Sequence, residues 1–208
     1  MLTSELATLK TAIKQMSRKT RKDRFTFLNY FRPSIFLKGY GDFDPFLLKI
    51  NKIKLFICDL DNTLVPHFTF RPTKTAVDFV NGIKQMGIKF YIVSNNRKSR
   101  VKRFCQYIQP DGYVSFAMKP RINKIKKLMK KLNVSPEETL MMGDQFVIDI
   151  FAANRIGCKS ILVLPLVEQE KNKSSRFVNF LDKQIYSRLE RNNLLIGTKN
   201  VDNDTKLL

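Results

Sequence analysis

From residue 53 onward the chain repeats one alternation: short runs rich in β-branched and aromatic residues, each followed by a segment whose apolar residues lie three and four apart. Few architectures accommodate it. The runs are Ile53 to Cys58, Ile88 to Val93, a weaker Tyr113 to Phe116, Leu140 to Met142 and Ile161 to Leu164. Between them, Thr73 to Met86, Lys98 to Ile108, Arg121 to Leu132 and Phe146 to Ile156 read as helices. Strands joined through helices pair in parallel, and a parallel sheet is covered on both faces. The pattern therefore predicts a doubly wound, Rossmann-like α/β sheet with right-handed crossovers. Gly87 and Gly157 suit left-handed helix ends, and Ser135-Pro136-Glu137-Glu138 reads as a capping box opening a short turn before the fourth run.

Helical appendages flank this core, which is expected over residues 31–168. In residues 1–30, Leu2, Leu6, Leu9, Ile13 and Met16 would form one apolar stripe, followed by Arg18, Lys19, Arg21, Lys22 and Arg24. Such a segment suits a docking helix or arm, or a helix lying in a membrane interface with its basic residues at anionic head groups. It lacks the continuous apolar core of a signal peptide. Residues 169–208 are expected to form a C-terminal helix, marked by Phe177, Phe180, Leu181, Ile185 and Leu189, and a frayed tail. No run of about 18 apolar residues occurs, so no membrane-spanning helix is expected, while contact with a membrane surface stays open.

Charge narrows the partners. The 208 residues carry 38 Lys and Arg against 18 Asp and Glu, a formal charge of +20. Clustered basic side chains concentrate phosphates and other polyanions around themselves. A compositional cause competes, because 25 of the 38 are Lys and the chain, rich in Asn, Ile and Phe, has no Trp, as a biased genome would give. Cys58, Cys105 and Cys158 lie far apart with no CxxC pair, which argues against a disulfide framework or a zinc site and fits a reducing, cytoplasmic compartment. The single histidine, His67, cannot build a multi-histidine metal centre and reads as a surface residue.

The chemistry gathers where the strands end. The first run leads into Asp59-Leu60-Asp61-Asn62-Thr63, placing two carboxylates at the carboxyl end of a buried strand, where open α/β sheets bind ligands. Two such groups repel each other and lose solvation, so they call for a cation or a cationic side chain. The second run ends in Ser94-Asn95-Asn96; Lys119-Pro120 follows the third; Gly143-Asp144 ends the fourth, with Asp149 five residues on. Each piece has a plain structural reading, an Asx-rich turn for the first and a helix cap for the second. The ordered set is far more specific, since neighbouring strand tips converge on one crevice.

This set resembles the four motifs of the haloacid dehalogenase-like superfamily: Asp59-Leu60-Asp61-Asn62-Thr63, Ser94, Lys119, and Gly143-Asp144 with Asp149. Phe31-Arg32-Pro33-Ser34, Val93-Ser94-Asn95-Asn96 and Gly143-Asp144-Gln145-Phe146 further resemble the YqeG-type family of subclass IIIA, itself similar to the mitochondrial phosphatidylglycerophosphate phosphatases. The resemblance implies a Mg²⁺-dependent phosphoric monoester hydrolase. Asp59 would be the nucleophile that forms an aspartyl phosphate, and Asp61 the general acid and base. Ser94, Asn95 and Lys119 would bind the phosphoryl group. Asp59 and Asp144 would ligate Mg²⁺ directly, with the Asp61 carbonyl assisting and Asp149 acting through water. Asn62 and Thr63 would shape the loop.

Spacing leaves no room for a cap domain, because a helix and a strand consume the residues from Asp59 to Ser94 and from Lys119 to Asp144. Residues 65–72 can form at most a flap. By family analogy a capless site suits phosphates on large or membrane-bound molecules. Basic residues cluster at Arg97, Lys98, Arg100, Lys102 and Arg103, then at Arg121, Lys124, Lys126, Lys127, Lys130 and Lys131, as a solvated helix face or as a ring around the crevice. A lipid phosphate at the inner membrane face fits the charge and the first helix together. The alternatives are phosphates on nucleic-acid ends or small esters, and a non-catalytic basic module bound to RNA or the ribosome.

Overall fold

The computed structural model describes residues 27–167 and 173–195. The amphipathic stripe expected in residues 1–24 and the expected frayed tail lie outside the described residues.

Among the described residues six strands form one parallel sheet: β1 (Ile35–Leu37), β2 (Leu55–Cys58), β3 (Lys89–Val93), β4 (Gly112–Val114), β5 (Thr139–Gly143) and β6 (Lys159–Val163). Their order across the sheet is β1-β6-β5-β2-β3-β4. From β2 the chain builds outward through β3 and β4, then returns to the other side for β5 and β6. The direction of winding thus reverses between β2 and β5, where Leu55 pairs with Thr139 and Cys58 with Met142. In an open α/β sheet such a reversal opens a crevice beyond the carboxyl ends of the two strands.

The helices are α1 (Phe46–Ile50), α2 (Lys74–Gln85), α3 (Lys98–Ile108), α4 (Asn123–Leu132), α5 (Phe151–Ile156) and α6 (Lys173–Arg191). All four residues of β2 are buried, and alternate ones serve opposite layers. Phe56 and Cys58 join Val80 and Ile83 of α2 and Val101, Phe104 and Ile108 of α3. Leu55 and Ile57 join Ile125, Leu128 and Met129 of α4 and Ala152, Ala153 and Ile156 of α5. Strands covered on both faces in this way need apolar residues throughout, which is why they read as unbroken runs. Thr73 starts α2, its hydroxyl accepting from the Ala76 amide at 3.2 Å. Gly157 ends α5 with φ 88°.

The structure departs from the sequence pattern in three places. A sixth strand, β1, pairs with β6 from Ile35 opposite Ile161 to Leu37 opposite Val163. The third run forms Gly112–Val114 rather than Tyr113 to Phe116, because Phe116 takes φ 46° and leaves the extended region. The expected helix Phe146 to Ile156 opens with a π-helical turn, Phe146–Ile150, before α5 begins. A third apolar cluster buries α6 against that turn, bringing Val178, Ile185 and Leu189 onto Phe146, Val147 and Ile150. Residues 27–31 close the same cluster, with the Phe31 ring stacked on Phe151 at 4.9 Å.

Candidate active site

Parallel pairing carries one residue past β2, where the Asp59 amide donates to the Met142 carbonyl at 2.9 Å. The chain then turns. Asn62 takes a left-handed φ of 66° and donates its amide to the Val65 carbonyl at 2.7 Å. This turn fixes Asp59 inside the crevice and Asp61 on its rim.

Lys119 is the hub of the inner part. Only 1% exposed, its Nζ donates to Asp59 Oδ1 and to Asp149 Oδ1, both at 2.6 Å. Its backbone is clasped by Asn95, whose Oδ1 accepts from the Lys119 amide at 2.7 Å while its Nδ2 donates to the Lys119 carbonyl at 2.8 Å. The Asn95 carboxamide, expected to bind substrate, is thus spent on holding the lysine. Asp149 reaches the ammonium from the π-helical turn, a widened geometry that recurs at functional sites, and its Oδ2 accepts from the Gln145 amide at 3.2 Å. This approach requires Gly143: a Cβ there would lie 2.2 Å from Asp149 Cγ.

Asp144 completes the inner group. Its Oδ1 accepts from the Thr63 hydroxyl at 3.2 Å, and its buried Oδ2 has no partner. Burial drives the Asp59 carboxyl up to about 7, against the pull of Lys119 and with help from Asp149 and Asp61. Burial, then Asp149 and Asp59, likewise hold Asp144 well above the carboxylate range. Burial alone would lower the Lys119 ammonium, but Asp149 and Asp59 reverse this and hold it above the ordinary lysine value. Ionised together, Asp59, Asp144 and Asp149 would carry more negative charge than the one ammonium of Lys119 compensates.

A hard divalent cation fits that surplus. The available donors are oxygens, and an orphaned carboxylate oxygen on Asp144 faces no other partner. Among the described residues no three acidic, His or Cys side chains form a ready ligand cage. Asp149 is already engaged through both oxygens by Lys119 and Gln145, so Asp59 and Asp144 are the carboxylates that could hold such a cation. Mg²⁺ is commonly held by one or two carboxylates and otherwise keeps its water.

The rim is organised differently. Asp61 Oδ1 accepts from Arg100 Nη2 at 2.6 Å and Nε at 3.0 Å, while Oδ2 accepts from Asn96 Nδ2 at 3.0 Å. Ser94, buried at the end of β3, accepts the Asn96 amide at 3.0 Å on its hydroxyl, whose own proton is not used in that bond. His67 is half-buried; its amide donates to Asn62 Oδ1 at 3.3 Å, and its Nδ1 is buried without a partner.

Arg100 was not singled out from the basic run by sequence, yet it alone among the basic residues of the two clusters is buried. Its spacing offered a signal: it stands four residues before Phe104 and eight before Ile108, on the buried stripe of α3. Asp182 of α6 was also missed. Its Oδ1 accepts the Val147 amide at 3.0 Å, and burial pushes its carboxyl up to about 8.

The family profile of haloacid dehalogenase-like hydrolases matches residues 69–157, a stretch that takes in Ser94, Lys119, Asp144 and Asp149. Over 164 residues the chain is 32% identical to the Bacillus subtilis (strain 168) protein named probable phosphatase YqeG, covering 78% of this chain and 93% of that one. The chain belongs to the haloacid dehalogenase-like hydrolases. Within them it is a homologue of YqeG and a phosphatase. Solved structures similar to it include an uncharacterised protein of Listeria monocytogenes, with TM-score 0.48, 19% identity and coverage of 65% of this chain and 99% of that one. Another is the 3-deoxy-D-manno-octulosonate 8-phosphate phosphatase of Moraxella catarrhalis, in complex with a magnesium ion, a phosphate ion and a KDO molecule, with TM-score 0.44, 16% identity and coverage of 71% and 95%.

Proposed function

We propose that this phosphatase is Mg²⁺-dependent, works through an aspartyl phosphate on Asp59, and acts on an anionic phospholipid phosphate of the phosphatidylglycerophosphate type. The observation that carries the chemistry is the buried Asp59, held at 2.6 Å by Lys119, beside the unpartnered Oδ2 of Asp144. A carboxylate approaches a phosphate dianion only where positive charge offsets their repulsion. Asp59 and Asp144 would hold Mg²⁺, with the Asp61 carbonyl assisting, and the ion would supply that charge.

An Asp59 carboxylate oxygen attacks phosphorus as the bond to the ester oxygen breaks, and the departing oxygen takes its proton from the Asp61 carboxyl. Asp61, now a carboxylate, removes a proton from water as that water attacks phosphorus. The Asp59–phosphorus bond breaks, and phosphate leaves. Lys119 offsets charge on Asp59 and the phosphoryl oxygens, Ser94 donates its hydroxyl proton to one of them, and Asn95 keeps Lys119 in place. Asp149 aims the ammonium.

The rim supports a lipid substrate. Phe68 and Phe70 after β2, Phe116 after β4, and Leu164 and Leu166 after β6 are exposed large apolar side chains at the carboxyl edge of the sheet. Their loops are tied to the site, Phe116 by its amide to the Asn96 carbonyl at 2.9 Å and Leu166 by its amide to the Asn62 carbonyl at 3.0 Å. Exposed Arg97, Lys98, Arg121 and Lys124 accompany them. Apolar tips among basic side chains match an anionic membrane surface, the place where such a phosphate sits. Among the described residues no helix is long and apolar enough to cross a membrane, so contact would be peripheral.

The test is phosphate release from phosphatidylglycerophosphate in anionic liposomes, from a 3′-phosphorylated oligonucleotide and from a sugar phosphate, with Mg²⁺ or with chelator. Liposomal turnover should dominate and require Mg²⁺, and Asp59→Asn should reduce it by about 10⁴-fold or more. Preference for the oligonucleotide or the sugar ester would replace the substrate; activity surviving Asp59→Asn would remove the nucleophile.

A further inference from the structure

The Arg100 guanidinium is shared between two partners that the chain could have kept apart. On one side are the two bonds to Asp61 Oδ1. On the other is the flap: Nη1 donates to the Thr69 carbonyl, Nη2 reaches the Pro66 carbonyl at 3.4 Å, and the guanidinium carbon lies 5.3 Å from the centroid of the Phe70 ring. With the residue 8% exposed, these contacts sit in a poorly screened environment, where charge-assisted bonds are strong. Asn96 takes the second oxygen of Asp61 from the end of β3.

We propose that Arg100 is the positioning residue of the acid/base: its planar fork ties the Asp61 carboxylate to the 66–70 flap, so that the aim of Asp61 and the position of the flap are set together. Lysine cannot do this. A single ammonium has no planar fork to engage Asp61 through two nitrogens and the flap carbonyls through the same rigid group. With the fork on Oδ1 and Asn96 on Oδ2, both oxygens of Asp61 are held by donors. A substrate that shifts the flap must also shift the guanidinium, and with it the group that exchanges a proton with the departing oxygen. This inference rests on the proposed acid/base role of Asp61.

The test uses two soluble esters in Mg²⁺ buffer: p-nitrophenyl phosphate, whose leaving group departs without a proton, and an alkyl phosphate, whose alkoxide needs one. For both, kcat/KM reports formation of the aspartyl phosphate. In Arg100→Lys it should fall about 100-fold on the alkyl ester and less than about tenfold on the aryl ester, in keeping with the usual worth of a general acid. Amide hydrogen exchange over residues 67–71 should accelerate in the same variant, with the thermal melt confirming a folded protein. Arg103→Gln, which removes the other guanidinium stacked on Phe70, at 4.8 Å, should leave the alkyl-to-aryl ratio unchanged. Equal losses on the two esters, or unaltered exchange in the flap, would overturn the coupling. Full alkyl turnover in Asp61→Asn would instead overturn the acid/base role on which it rests.

Discussion

The site contains two cation–carboxylate assemblies, and they solve different problems. Around Lys119, a point charge is buried between Asp59 and Asp149, on strand ends and a turn that the core holds on several sides. Around Arg100, a fork is divided between Asp61, whose side chain is 19% exposed, and the backbone of a surface loop. The first fixes a charge distribution; the second joins a reactive group to a segment that solvent reaches. Under the proposed mechanism the first would supply preorganised charge, and the second would couple the acid/base to the surface loop.

The contrast breaks most readily at Lys119. Lys119→Met would strand two buried carboxylates and should destabilise the protein by about 3–5 kcal/mol, read from urea unfolding. Arg100→Met leaves a partly hydrated carboxylate and should cost about 1–3 kcal/mol. Equal costs would erase the distinction between a buried hub and a rim clamp.

Metal binding sharpens the comparison at the next level. Mg²⁺ at a hundred times its dissociation constant should stabilise the folded protein by about 2.7 kcal/mol, seen as a rise in Tm over the chelated sample. Asp144→Asn should abolish the rise and Arg100→Lys should keep it. Loss of the rise in both would mean that rim and interior are not separable.

The smallest effect concerns the turn that carries Asp149. Asp182 is pushed up to about 8 in the fold, above its value in an unfolded chain. Its contribution to stability is therefore complete at low pH, below the unfolded value, and is lost as pH rises towards 8. Asp182→Asn keeps an acceptor for the Val147 amide without the charge. Its melting profile should be flatter between pH 4 and 8, with a gain on the order of 1 kcal/mol at the upper end that disappears on acidification as Asp182 takes up its proton.

Much of this was legible in the chain because the interior is sorted by period. Leu55 to Cys58 serve both layers and so are apolar without a break, while helices such as Lys98–Ile108 show their spacing. The motif residues were visible because strand tips in a doubly wound sheet converge wherever the loops differ. What stayed hidden depends on contacts distant in sequence. Three residues of β1 carry no period of their own and extend only because β6 offers its edge. Asn95 and Asn96 read alike, yet one clasps Lys119 and the other Asp61, a division decided by where the neighbouring strands end. Arg100 was masked by its basic neighbours, although the buried stripe of its helix passes through it. The π-helical turn carries Asp149, whose partner Lys119 lies across the crevice and 30 residues away in sequence.

The seating of α6 has a practical corollary for anyone shortening this protein. A version trimmed after the last strand would lose the carboxylate that receives the Val147 amide and would open Phe146, Val147 and Ile150 to water. Those residues form the underside of the bend from which Asp149 steers the ammonium. Catalytic failure in such a truncate would report a collapsed support beam rather than a missing reactive group, and supplying the helix as a separate peptide would be the way to tell the two apart.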